Sequence, residues 1–468
     1  MSRKNRRSSC SESTPVVAPQ TESEVQFLAQ ALDYYRAVRQ AGKNAPFGQF
    51  LNYAEAAVEE KGRELIRASL ENIVQTEIDE VEKNETRFCQ TCQTKREHLG
   101  YHSKIIRSAS GPITPERRYE KCRPCRLPIH PVDEILGLEE DYTAGFRALV
   151  VYAGSKNSFA EAKKDMEIYR GLDISHETIR MLCHKEAPKV KEFFEESAEV
   201  PKDFVATKGN VELLIDATKV NTMDGWRDMK IGIFSRRLQG AGVDISLWDK
   251  RDRTMLPDVS VSIAFASIEE KELFQKRVNH YRRLLRVGLS GDVSVLGDGA
   301  EWIWNISREV FGKVRECLDI YHALEHLGDT GKILYKEATK EYEHWLEATK
   351  WEILECGFEK IEKRLDELEQ ELKEEESQKR EAKSQKHEVL RSLRRYLENH
   401  KSRLGYRERL SEGRVIGTGQ VEGACKTMIG RRLKQTGARW RVDRLNEMAV
   451  LCSVHYSDLW TKYWMQAK

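Results

Sequence analysis

Three acidic side chains in this 468-residue chain stand where carboxylates could gather metal ions. Asp216 follows Val211-Glu-Leu-Leu-Ile, a run of β-formers, which puts it near the end of a buried strand. Asp298 follows Val293-Ser-Val-Leu in the same way, and Gly297 and Gly299 beside it let another backbone or a ligand approach closely. Glu422 lies in Gly417-Thr-Gly-Gln-Val-Glu-Gly-Ala-Cys-Lys, a glycine-rich entry to a helix that carries the carboxylate on its first turns. Lys426 is four residues further on, on the same face. Singly, each has a plain explanation: a strand-end Asp caps a loop, and a Glu–Lys pair decorates a helix. As a set they suit two hard cations, Mg²⁺ or Mn²⁺, held by oxygen ligands. Two such ions about 3.5–4 Å apart activate the attacking oxygen and stabilise the leaving oxygen of a phosphoryl displacement.

Basic residues follow the Glu: Arg431, Arg432, Lys434, Arg439 and Arg441, with Trp440 among them. Such a stretch can grip phosphates and stack a base, or it can be a solvated basic face.

A second constellation is made of thiols. Cys89-Gln-Thr-Cys92 and Cys122-Arg-Pro-Cys125 are two C-x-x-C knuckles with a strand-compatible stretch between them, a ligand set for structural Zn²⁺. The alternatives are unrelated pairs in a reduced core, or a redox pair, which normally sits in a thioredoxin-like βαβ context absent here. Lys95, Arg96, Arg107, Arg117, Arg118, Lys121, Arg123 and Arg126 surround the knuckles, either as a phosphate-contacting cluster or as ordinary solvated surface.

The elements that position these groups follow from periodicity. Residues 1–20 read as a disordered tail and 21–85 as a helical region, broken near Gly42–Pro46. Residues 86–136 form the zinc ribbon. Residues 137–200 are helical, with a pair at Ser158–Tyr169 and His176–Lys189 and Ser175 as the N-cap of the second. That pair is a candidate helix-turn-helix presenting Arg180 and Lys185 to DNA, or simply two packed helices. Strands are expected at Val211–Asn221, Met229–Phe234, Val259–Phe265, Val293–Leu296 and Glu316–Tyr321, with a helix at Glu269–Val287. An α/β core, 205–322, is thus followed by an all-α insertion, 323–412, whose middle, Lys363–His387, is nearly all charged. The last part of the core, 413–468, carries Glu422 and the basic stretch.

Composition bounds the function. Seventy-eight Lys and Arg against 76 Asp and Glu leave a net charge of +2, so any nucleic-acid surface must be regional. No apolar run approaches the about 20 residues that span a bilayer, and the basic start lacks an apolar h-region. The ten cysteines suit a reducing compartment. The expectation is a cytoplasmic, nucleoid-associated protein with no membrane partner.

Several blocks together carry a resemblance. They are Leu214-Ile-Asp-Ala-Thr-Lys-Val, Asp224-Gly-Trp-Arg-Asp-Met-Lys-Ile-Gly, Leu296-Gly-Asp-Gly-Ala-Glu-Trp-Ile-Trp-Asn-Ile, Leu318-Asp-Ile-Tyr-His-Ala-Leu-Glu-His-Leu, and Gly419-Gln-Val-Glu-Gly-Ala-Cys-Lys through Arg432-Leu-Lys-Gln-Thr-Gly-Ala-Arg-Trp. From the knuckles to near the C-terminus the chain resembles bacterial insertion-sequence transposases of the ISKra type, in the Mutator-like group. The resemblance implies a ribonuclease H-like α/β catalytic domain interrupted by the helical insertion. It implies Asp216, Asp298 and Glu422 as the metal-binding triad. Asp319 and His322, in Asp-Ile-Tyr-His, match the group's C/D-x-x-H motif and are expected close to the active site; a structural hydrogen bond is their plain alternative. Ala217 departs from the Gly usual beside the first ligand. The implied partners are double-stranded DNA, both terminal inverted repeats and target, and further copies of the chain as a homodimer or higher oligomer. Two rivals remain: a domesticated, inactive DNA-binding derivative, and a structure-selective nuclease that does not transpose.

Overall fold

The computed structural model describes residues 19–84, 88, 89, 91–126, 128–138, 140–250, 257–288, 293–379 and 385–466. Most of the tail read as disordered lies outside them. The chain divides into two units, Met1–Leu149 with Met166–Asp173, and Val150–Asp165 with Ile174–Lys468. The segment read as one helical region, 137–200, is shared between them.

The first unit opens with two long helices, α1 (Glu22–Lys43) and α2 (Phe50–Asn84). A capping box starts α1: the Thr21 side chain accepts from Glu24 N–H while the Glu24 side chain returns to the cap backbone. The break falls at Asn44–Gln49, around Pro46 and the positive-φ Gly48. Ser23 Oγ donates to Asn72 Oδ1 at 2.8 Å, so the start of α1 lies beside the latter half of α2 and the pair is antiparallel. The hairpin leaves Phe27, Leu28, Leu32, Tyr35, Phe50 and Leu51 exposed.

The cysteine region follows as β1 (Glu97–Ser103), β2 (Ile106–Ser108), β3 (Gly111–Ile113), β4 (Glu116–Lys121) and β5 (Pro128–Ile129), then the short α3 (Pro131–Leu136). Strands β1, β4 and β5 form an antiparallel sheet in the order β1-β4-β5, and β2 and β3 pair separately. Arg96 and Arg118 are buried against Glu120, at 3.0 and 2.7 Å, and Glu120 is fully buried. Arg117 is buried and paired with Asp133, and Arg123 binds Glu97 at 2.8 Å. The expectation of a phosphate-contacting cluster is therefore corrected for Arg96, Arg117 and Arg118, which are buried in ion pairs within the unit, while Arg123 stays on the surface. Lys95, Arg107, Lys121 and Arg126 are the exposed remainder.

Helices α4 (Ala144–Lys156) and α5 (Phe159–Arg170) cross the division between units. The second unit continues with α6 (His176–Glu196), α7 (Lys202–Ala206), β6 (Asn210–Thr222), β7 (Gly225–Arg237), β8 (Val259–Ser267), α8 (Lys271–Leu284), β9 (Val293–Gly297), α9 (Glu301–Phe311) and β10 (Arg315–Leu318). Its mixed sheet has the order β10-β9-β6-β7-β8. The first three strands in sequence are antiparallel neighbours, and β9 and β10 run parallel to β6. Leu213, Ile215, Ile231, Ile233 and Val295 are fully buried, the unbroken burial of strands covered on both faces. Helix α9 was not foreseen; its short amphipathic run, Ile303, Trp304, Ile306, Val310 and Phe311, is buried.

The helical insertion comprises α10 (Ile320–Leu334), α11 (Lys340–Cys356), α12 (Phe358–Lys379), α13 (Gln385–Asn399) and α14 (Tyr406–Ser411). It leaves and returns at one point, since Ile320 N–H donates to the Ile416 carbonyl at 3.1 Å. The chain ends with α15 (Gly419–Ala424), a π-helical turn at Cys425–Gly430, α16 (Arg431–Leu433), α17 (Val442–Tyr456) and α18 (Trp460–Gln466). Helix α17 packs on β8 and α6, and Ser457 Oγ accepts from Ala264 N–H at 2.9 Å.

Candidate functional site

Sheet register brings the acids together. Leu214 on β6 pairs with Leu296 on β9, so two residues further along both strands lie Asp216 and Asp298. Leu318 on β10 pairs with Gly297, and one residue further along both lie Asp319 and Asp298. Asp298 and Asp319 thus directly follow the ends of β9 and β10, and Asp216 stands on the adjacent parallel strand just past the end of its ladder with β9, midway along β6 rather than at its end as expected; neighbouring strands are about 4.8 Å apart. Glu422 comes from α15, which packs against β6 and β7 and is tied to β7 by Gln420 Nε2 donating to Ser235 Oγ at 2.8 Å.

Each acid is held differently. Asp216 Oδ1 accepts from Ala217 N–H at 2.6 Å, and Oδ2 accepts from the Cys425 thiol at 3.5 Å. Burial raises the Asp216 carboxyl above its ordinary value, and the negative charge of Asp298 pushes the same way. Cys425 sits between two of the acids: burial and Asp216 push its thiol up to about 12, and Glu422 adds to the effect. It therefore stays a neutral donor. Asp298 Oδ1 accepts from Ala300 N–H at 2.9 Å, and its carbonyl accepts from the Tyr396 hydroxyl at 3.2 Å. Gly299 has φ +105°, and a Cβ there would lie 2.8 Å from that hydroxyl, so the turn needs glycine on both counts. The insertion, through α13, thus reaches back to the strand ends.

Asp319 is fully buried and caps α10. Its Oδ1 accepts from Tyr321 N–H at 2.8 Å; its Oδ2 accepts from Thr418 N–H at 3.2 Å and from the Thr418 hydroxyl. The carboxylate binds the start of α10 to the loop that leads into α15. Gly417 makes room for this: a Cβ there would lie 3.1 Å from the Tyr321 ring.

Among the described residues, one acidic group could hold a metal ion: Asp319, His322 and Glu422 each offer a ligand atom within 4.8 Å of the others. Asp216 and Asp298 are not in that set. They border it, Asp298 through its strand neighbour Asp319 and Asp216 through the charge of His322, which stabilises its carboxylate. The chemistry of the donors, carboxylate oxygens with one imidazole, fits a hard divalent cation.

The cysteines form the other cluster. Cys89, Cys92, Cys122 and Cys125 place their sulfurs within 4.8 Å of one another. Cys89 and Cys125 are 3.9 Å apart, and Cys92 and Cys122 3.3 Å. Four thiolates about 2.3 Å from one tetrahedral ion would be about 3.8 Å apart, so the set could hold zinc.

The residues expected to touch DNA divide. Lys426, Arg431, Lys434 and Arg439 are exposed, and Lys434 Nζ donates to Thr218 Oγ1, two residues from Asp216. Arg432 is set apart from them: it is 3% exposed, its Nε donates to the Gly154 carbonyl at 2.7 Å, and its guanidinium lies 4.4 Å from the Phe159 ring centre and 5.1 Å from that of Trp440. Trp440 is corrected in part: its indole N–H donates to the Leu433 carbonyl at 3.1 Å, and its backbone pairs with the end of β6. The ring is half-buried and packs on Arg432 instead of standing free for a base.

The second helix of the helix-turn-helix candidate runs further than expected. The Ser175 cap is present, Thr178 N–H donating to Ser175 Oγ at 3.0 Å, but α6 continues to Glu196 and buries Ile179, Leu182, Cys183 and Val190. It lies against α17, with His184 Nδ1 2.7 Å from the Glu447 carboxylate. Arg180 and Lys185 are on its exposed side, Arg180 bound to Glu177 at 2.9 Å. The helix is thus a wall of the second unit.

Tyr396, Thr418 and Cys425 were not singled out by the sequence reading. Thr418 and Cys425 flank Glu422 in the glycine-rich block, which was the available signal; nothing local marks Tyr396.

No family model matches the chain, and no curated protein is similar to it. Among the described residues, no helix is long and apolar enough to cross a membrane.

Proposed function

We propose that the chain is a DNA transposase that cleaves phosphodiesters at the ends of its element and joins the freed 3′-hydroxyl to target DNA. The observation that carries this reading is the register that sets Asp216 and Asp298 at the same level, just past the end of the β6–β9 ladder, with Glu422 on the helix packed beside β6. The strand order β10-β9-β6-β7-β8, three antiparallel strands followed by two parallel ones, supports a ribonuclease H-like domain.

Asp216, Asp298 and Glu422 are the residues that would hold Mg²⁺ or Mn²⁺, with His322 beside Glu422. Divalent ions bound there would supply activation of the attacking oxygen and charge at the leaving one. The protein's own part is positioning. Cys425 fixes the orientation of the Asp216 carboxylate by its thiol, and the Ala300 amide fixes Asp298. Asp319, spent on Tyr321 and Thr418, is a positioning residue that sets where the loop before Glu422 runs. The exposed Lys426, Arg431, Lys434 and Arg439 give the adjoining surface a positive charge suited to a DNA backbone. The cysteine region, read as a structural zinc ribbon, and the N-terminal helices would contribute to recognition of the repeats. The apolar side chains left exposed on α1 and α2 offer a surface for a second copy, and two element ends must be cut together.

The test is Mg²⁺-dependent cleavage of a duplex carrying the inverted repeat that flanks the coding region. Wild type should cut, and Asp298→Asn should lose at least a hundredfold in rate. An Asp298→Asn protein that cuts as well as wild type refutes the triad. Joining of the cut end to a second duplex separates a transposase from a nuclease that stops at hydrolysis, and metal-independent binding without cutting indicates the inactive DNA-binding derivative.

A further inference from the structure

A cavity of about 380 Å³ opens in the second unit on the flank of the π-helical turn that follows Glu422. Its walls come from the end of α4, the turn itself, α16 and α17, and they include Lys156, Asn157, Thr427, Arg431, Arg432 and His455. None of the lining residues is acidic, and three carry a positive charge. The buried Arg432 is the unusual one. Burying a guanidinium is costly unless its donors are used and its charge is matched. Here Nε is spent on a backbone carbonyl and two aromatic rings take the faces, but one terminal nitrogen, Nη2, is buried without a hydrogen-bond partner. Glu161, whose charge reaches Arg432, is engaged elsewhere, accepting from the Ser158 amide and hydroxyl, and Asn157 in the wall donates to Asp165 at 2.7 Å.

His455 adds no charge to this surface. Burial, with Lys156 nearby, pushes it down to about 3, so the ring is neutral. The Ser155 hydroxyl gives its hydrogen to the Tyr152 carbonyl at 2.8 Å and lies 2.6 Å from His455 Nε2. The ring nitrogen is therefore the donor, and the serine is not activated as a nucleophile. What remains is a polar recess with a fixed cation in its floor, two more cations at its mouth, and hydroxyl and amide groups between them.

We propose that this recess binds a phosphate group, with Arg432 as the fixed charge and Lys156 and Arg431 closing over it. A planar guanidinium clamped between rings is preorganised for phosphate oxygens, and the volume admits a phosphate together with its sugar. Two sources offer that chemistry, a small phosphate compound and a nucleic-acid strand, and only the second rests on the transposase reading.

The experiment is titration of the full-length protein with inorganic phosphate by calorimetry at low ionic strength, on wild type and on the surface variants Lys156→Ala and Arg431→Ala. Wild type should bind, and each variant should bind at least fivefold more weakly with an unchanged melting temperature. Arg432→Lys, which keeps charge but loses the planar clamp, should weaken binding further. Absence of phosphate binding in wild type, or equal binding in both surface variants, overturns the proposal. Competition by short oligonucleotides then assigns the source. Displacement only by a 5′-phosphorylated strand points to a strand end, equal displacement by a 5′-hydroxyl strand points to the backbone, and displacement by neither points to a small phosphate compound. Because Asp298→Asn leaves this recess intact, loss of cleavage and loss of phosphate binding are separate outcomes.

Discussion

Asp319→Ala should damage folding, whereas Asp298→Asn should damage only chemistry. The Asp319 side chain is fully buried and accepts three hydrogen bonds, from Tyr321 N–H, Thr418 N–H and the Thr418 hydroxyl. Truncation removes the N-cap of α10, which costs about 1 kcal/mol. It also strands the Thr418 amide and hydroxyl in a buried place, at about 1–3 kcal/mol each where no water replaces the carboxylate. The expected loss is thus about 3–5 kcal/mol, since some relaxation of the loop is unavoidable. Asp298 is half-exposed, and one of its oxygens accepts a single amide bond that Asn can also accept. Removing its charge also relieves Asp216, so Asp298→Asn should leave stability unchanged to within about 0.5 kcal/mol. Urea unfolding followed by circular dichroism, without added metal, measures both. A loss below 1 kcal/mol for Asp319→Ala would show that its carboxylate is not the clamp described, and would return it to the list of direct metal ligands.

Other expectations follow from the same contacts. Glu120→Gln leaves Arg96 and Arg118 buried without their carboxylate and should cost about 3–5 kcal/mol; a protein as resistant to urea as wild type would contradict the buried pairing. Cys122→Ser should abolish binding of about one zinc per chain, read by metal analysis of the purified protein; a wild type free of zinc, with all four thiols reactive, argues against the site. His455 is held at about 3 in the fold against about 6.5 when unfolded. The unfolded state therefore binds the proton first, and stability complete above pH 6.5 declines as pH falls toward 3. Between pH 6.5 and 5 that amounts to about 2 kcal/mol, and His455→Asn should show a pH dependence weaker by that amount in denaturant midpoints.

The parts legible in the sequence were those fixed by local pattern. The strands at Val211 and Val293 announce themselves by apolar, β-favouring runs, and an acid follows each run. The C-x-x-C spacing brings its own geometry. What escaped depended on partners far along the chain. Nothing near Arg432 says that Gly154, Phe159 and Trp440 will enclose it. The exposed-looking helix at His176 becomes a wall only because α17, with Glu447, lies against it. The ribbon arginines were a different kind of miss. Arg118 and Glu120 are two residues apart on a strand and so share a face, a pairing that counting basic residues overlooks.

The insertion has both its feet on one spot, where the Ile320 amide meets the Ile416 carbonyl. A detour pinned at its base costs little more entropy when it is lengthened, because closure grows only with the logarithm of contour. The outer arms, α12 and α13 beyond Tyr396, can therefore grow, shrink or be exchanged as a handle while the strand ends keep their acids in place. The rung at Tyr396, leaning on Asp298 and Gly299, would have to be kept.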